Sequence, residues 1–162
     1  MTDAWRVGVP FGLALFVLAL LATAPYFVPA LSDQTLTVIY DGVSVVAFLA
    51  FLEAGRRAGR AAGVGNGALA GGIAGFLASL SGILQHALLT AAPDYARLVS
   101  DQHGQAVYLE SMRLSSGAAA MAGIFGAVIA DTLLGAVLGL LGGLVGAYVR
   151  GPRRPRADEG AA

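Results

Sequence analysis

Residues Gly117–Val149 read GAAAMAGIFGAVIADTLLGAVLGLLGGLVGAYV. This run contains one carboxylate, Asp131, and no basic residue. A membrane-crossing helix needs roughly 20 consecutive apolar residues. The run exceeds that, so it must tilt or leave its first turns outside the hydrocarbon. Three more apolar segments precede it, at about Val7–Leu31, Thr35–Ala54 and Gly67–Ala92. The chain as a whole is 57% hydrophobic and 12% charged. Water-soluble domains carry about 25% charged residues, so this surface suits lipid better than water. The fold expected is all-α: a membrane-embedded four-helix bundle over residues 1–150, with a disordered tail over 151–162.

The connections differ in kind. Ser32-Asp33-Gln34 is a tight turn, with Ser32 or Asp33 placed to cap the second helix. Gly55–Asn66 carries Arg56, Arg57 and Arg60 and reads as a basic connection. Pro93 ends the third segment, because it cannot continue a helical hydrogen-bond ladder. The stretch Asp94–Ser116 is the one sizeable polar loop. In it Tyr95, Leu98 and Val99 share a helical face, as do Val107, Tyr108 and Met112, which suits either surface helices or irregular chain.

Arginine placement orients the four spans. Arg6, Arg56, Arg57, Arg60, Arg150, Arg153, Arg154 and Arg156 fall on one side, and Arg97 and Arg113 on the other. Basic residues mark the cytoplasmic side, so both termini are expected in the cytoplasm of a multi-pass cell-membrane protein. A cleaved signal peptide ending at Ala22-Thr23-Ala24 competes with this reading. Pro25 after the cut and the apolar run continuing to Leu31 favour a retained helix.

Small residues recur in steps of four. The third segment has Gly67, Gly71, Gly75 and Ser79, and the fourth has Ala119, Gly123, Ala127, Asp131, Gly135, Gly139, Gly143 and Ala147. Residues four apart share a helix face. In lipid, helices associate through close backbone approach, which small residues permit. These stripes are expected to pack against protein, within one chain or between chains.

Ionisable groups in a membrane are costly and therefore candidates for function. Glu53 stands four residues before Arg57, the order that favours a surface ion pair. His86, Asp131 and Asp41 remain. From Asn66 to His86, and from Arg150 back to Asp131, the helix rise is about 30 Å and 28 Å. Both groups are therefore expected at one height near the outer boundary, each on its small-residue stripe. An imidazole would then meet a carboxylate, with Asp41 and Gln85 near in depth. Such a cluster serves either as a structural clasp or as a site for protons or cations.

Other chemistry finds little support. The chain has no cysteine and no lysine, which excludes thiolate chemistry and a phosphate-binding Gly-Lys-Ser/Thr loop. His-Glu-x-x-His and Gly-x-Ser-x-Gly are absent. Ser79, Ser81 and His86 lie on one segment with nothing to orient a nucleophile. His103, near Asp101 and Glu110, is a lone imidazole among carboxylates and is expected to be solvated. No metal, cofactor or nucleic-acid partner is expected, and the net charge is zero.

Phe48–Gly59 leading into Gly67–Gly75, and the ending Gly142–Arg150, resemble small four-helix membrane protein families of uncharacterised activity. These share a basic turn, a glycine-zipper helix and a glycine-rich last helix ending in arginine. The resemblance implies fold and topology, and no activity. The polar loop Asp94–Ser116 is longer than such families carry. The function expected is non-enzymatic, exercised through helix packing in the lipid bilayer, as a homo-oligomer or with another membrane protein. The alternative is a small proton- or cation-coupled transporter or channel.

Overall fold

The structure, a computed structural model, describes residues 3–28, 31–90 and 117–149. The stretch Asp94–Ser116 with His103, expected as an outer loop, and the carboxy-terminal tail lie outside the described residues. Among the described residues the secondary structure is helical, with no strand: α1 Asp3–Leu21, a 3-10 turn Ala24–Phe27, α2 Asp33–Ala62, α3 Val64–Ser79, α4 Ser81–Thr90 and α5 Gly117–Val149. Four helical stretches are long and apolar enough to cross a membrane: Asp3–Leu21, Gln34–Ala62, Val64–Gln85 and Ala122–Val149.

The helix ends correct three expected boundaries. The first helix does not run to Leu31. The Thr23 amide donates to the Leu20 carbonyl at 3.1 Å, tightening the ladder, and Pro25 then opens the 3-10 turn. The Gly55–Asn66 connection is not a loop. The α2 helix carries the arginines through to Ala62, since no proline interrupts it and Glu53 pairs across the next turn with Arg56 and Arg57. The reversal falls on Gly63 alone, at φ 95° and ψ 170°, a conformation open essentially to glycine. The third segment breaks at Leu80. There the hydroxyls of Ser79 and Ser81 donate to the carbonyls of Phe76 and Ala78, each at 2.7 Å, and compete with the helix ladder. At the start of α2, Ser32 Oγ accepts from the Thr35 amide at 3.2 Å and is the cap.

Packing pairs fix the topology. Gly8 and Gly12 of α1 lie against Ala70–Leu77 of α3, in ascending order. Gly55 and Gly59 of α2 lie against Gly139 and Gly143 of α5, also ascending. Gly67, Gly71 and Gly75 of α3 meet Gly143, Gly139, Gly135 and Asp131 of α5 in descending order. The helices therefore run up, down, up, down. Arg6, Arg56, Arg57 and Arg60 gather at one end, called here the arginine end; the other is the distal end.

The interior is built from small residues. Ala4, Ala58 and Ala70 are fully buried with Ile73 beside them, and a second layer joins Leu15, Phe51, Ala74 and Leu138. Large aliphatic side chains point outward instead: Leu21 and Val38 are each 64% exposed and Leu133 61%. A water-soluble bundle places them the other way round.

Candidate functional site

Two seams of glycine converge on α5. A Cβ on Gly67 would stand 2.7 Å from Gly143 Cα and 2.9 Å from the Gly55 carbonyl oxygen. Three helices thus touch backbone to backbone at one level. One turn along α3, a Cβ on Gly71 would fall on the Gly135 carbonyl and 2.7 Å from Gly139 Cα. At the next turn, the Cβ that Gly75 lacks would fall on the Asp131 carbonyl. The stripes therefore close within one chain. Ser79, 8% exposed, continues the α3 row.

This register places Asp131 differently from the helix count. The count set Arg150 level with Asn66. In the structure Gly143 is the residue level with Gly67, and α5 continues six residues beyond it to Val149, about 9 Å of further rise. Asp131 consequently meets Gly75, at the middle of the third span Val64–Gln85. The backbone of His86 lies eleven residues farther along α3 and α4, about 16 Å at helical rise. The register does not set His86 opposite Asp131, and the expected clasp between them has no basis in it.

The remaining candidates separate as well. Gln85 turns toward α1, where its Nε2 donates to the Ala19 carbonyl at 2.6 Å. That carbonyl is left over because the Thr23 amide goes to Leu20, so Gln85 acts as a carboxy-terminal cap for α1. Asp41 is exposed on α2. Ser44 and Thr132 return their hydroxyls to their own helices, onto the carbonyls of Tyr40 and Val128 at 3.0 and 2.6 Å.

Asp131 is half-buried and, among the described residues, no hydrogen bond or ion pair engages its carboxylate. Leu138, seven residues on and therefore on nearly the same face, packs with Leu15, Phe51 and Ala74. Asp131 stands about 10 Å of helical rise from Leu138, on the distal side of this layer. The described arginines lie at the other end. A Cβ on Gly142 would be 2.9 Å from the Arg56 amide nitrogen, and eleven residues of α5, about 16 Å, separate Gly142 from Asp131. Beyond Asp131, Gly42, Gly82 and Gly126 have no described atom within 4 Å of a built Cβ.

The arginine end holds the ion pairs. Arg56 grips Glu53 through Nε at 2.6 Å and through a second nitrogen at 2.8 Å, and Arg57 Nε reaches the same carboxylate at 2.7 Å. The Arg57 guanidinium also lies 5.4 Å from the Phe11 ring centroid, tying α2 to α1. The sequence reading gave Glu53 to Arg57 and missed the two-point contact with Arg56. It also passed over Gly8/Gly12, Gly55/Gly59 and Gly142/Gly146, three further pairs at the spacing of four that each meet another helix. Among the described residues no three metal-binding side chains stand together.

Comparison with protein-family models, with curated proteins and with solved structures gave no match.

Proposed function

We propose that this chain is a multi-pass membrane protein with both ends in the cytoplasm, which acts without catalysis by packing against another membrane protein. The observation that carries this reading is the division of the bundle at Asp131. On the arginine side, backbone meets backbone through glycine and makes a fixed scaffold. On the distal side, Gly42, Gly82 and Gly126 have open space, and a carboxylate has no described partner. Outward-facing aliphatic side chains support lipid as the solvent, and the arginine bias supports the orientation. Because the stripes at Gly67–Gly75 and Gly135–Gly143 are occupied within the chain, association uses other surfaces. Chemical cross-linking in native membranes tests the reading. A cross-linked species heavier than the single chain, containing another membrane protein or a further copy, is expected, and a chain recovered only as the uncross-linked monomer would overturn it.

One observation favours proton or cation coupling as a second reading: Asp131 meets the middle of the third span, where transport sites gather. Against it stands the layer of Leu15, Phe51, Ala74 and Leu138, which offers no polar route toward the arginine end. Proton or sodium flux into vesicles, abolished by Asp131→Asn, would select the second reading. Equal flux with and without the carboxylate would dismiss it.

A further inference from the structure

We propose that Asp131 receives an arginine or lysine carried at mid-membrane by a transmembrane helix of a different protein. The inference rests on the packing function above and specifies the partner's chemistry.

An ionised carboxylate within hydrocarbon is expensive unless an opposite charge or strong donors meet it. The described part of this chain supplies neither: its arginines cluster some 16 Å or more away, measured along α5 from Gly142. In a second copy the described arginines, Arg6, Arg56, Arg57 and Arg60, would again stand at the arginine end, and the sequence has no lysine.

The surface around Asp131 suits an incoming helix. The small-residue row of α5 is covered by α3 at Gly135, Gly139 and Gly143, which are buried. It continues past Asp131 to Ala127, which is exposed, and Gly126 beside it has open space. Small residues here permit close backbone approach, and Asp131 stands at the boundary between the covered and uncovered parts of the row. The apolar layer at Leu138 closes the path beneath it, which suits a docking point better than a conduit. Charge complementarity then selects the occupant: a helix bringing a cation to this depth.

The test uses a synthetic leucine–alanine transmembrane peptide with one central arginine, and an otherwise identical peptide with central leucine. Each is co-reconstituted with the full-length protein in phosphatidylcholine vesicles and followed by energy transfer. The arginine peptide is expected to associate about ten-fold more tightly than the leucine peptide, the scale of polar contacts between membrane helices. Asp131→Asn should remove that preference while leaving the thermal midpoint in place, and Asp131→Glu should retain part of it. Equal association of the two peptides, or an undiminished preference in Asp131→Asn, overturns the proposal. So does an arginine preference that emerges only in Arg97→Gln/Arg113→Gln, because the chain would then supply its own cation. Equal but measurable binding of both peptides sinks this proposal and leaves the packing function standing. Asp131-dependent ion flux without peptide binding sinks both.

Discussion

Gly75 of α3 lies against the main-chain carbonyl of Asp131 in α5, so the one acidic residue of the last helix belongs to a turn where two backbones touch. That relationship sets the antiparallel register of the two helices. It fixes which glycines are essential, how deep Asp131 stands, and how far it is from His86.

The seam should be intolerant of a single methyl group. In Gly71→Ala, the new Cβ has backbone on two sides, at Gly135 and Gly139, and backbone cannot swing away as a side chain can. Overpacking of this kind costs about 1–3 kcal/mol or more. Gly126→Ala meets no described atom within 4 Å, so the better helix propensity of alanine should leave stability unchanged or raise it by up to about 1 kcal/mol. Thermal unfolding in detergent checks both, and equal effects would contradict the seam.

Gln85→Leu should loosen the end of α1. The Ala19 carbonyl would lose its donor, at a cost of about 1–3 kcal/mol if it stays buried. Hydrogen exchange should rise in Leu20–Phe27 and stay unchanged in α5. Uniform exchange across the chain would mean that Gln85 does not hold α1.

Gly63 carries the whole reversal between α2 and α3. With φ at 95° and ψ at 170°, Gly63→Ala should cost about 1–3 kcal/mol. Gly65→Ala, two residues on in ordinary helix with open space around it, should be benign. A benign Gly63→Ala would show that the turn is built differently.

His86 and Asp131 should contribute to stability independently. Their backbones are about 16 Å apart along the register, and substitutions at that distance usually add. The loss in His86→Ala/Asp131→Ala should therefore equal the sum of the single losses. A coupling beyond about 0.5 kcal/mol would restore direct contact between the two.

Much of the architecture was legible because apolar length is a strong signal. Four runs of 20 or so apolar residues give four long helices, and Gly117–Val149 stands as read. The ends were harder to read, because they turn on local hydrogen bonds. Thr23 and Pro25 stop α1 early, and the Glu53–Arg56 pair keeps α2 helical where its glycines and arginines suggested a loop. The site suffered from a different error. Setting Arg150 level with Asn66 shifted α5 against α3 by about two turns, because Gly143 is the residue that meets Gly67. Spacing within a helix is written in the sequence, whereas the offset between helices is set by which backbones can touch.

The register can be measured directly, because the chain has no cysteine of its own. A Cβ on Gly72 would stand 3.5 Å from Ala136 Cβ, within the span a disulfide bridges. Gly72→Cys/Ala136→Cys should form an intramolecular disulfide in membranes under mild oxidation, running as a monomer on a denaturing gel. His86→Cys/Asp131→Cys should form none. A cross-link at 86 and 131, or a disulfide at 72 and 136 found only between chains, would contradict the account.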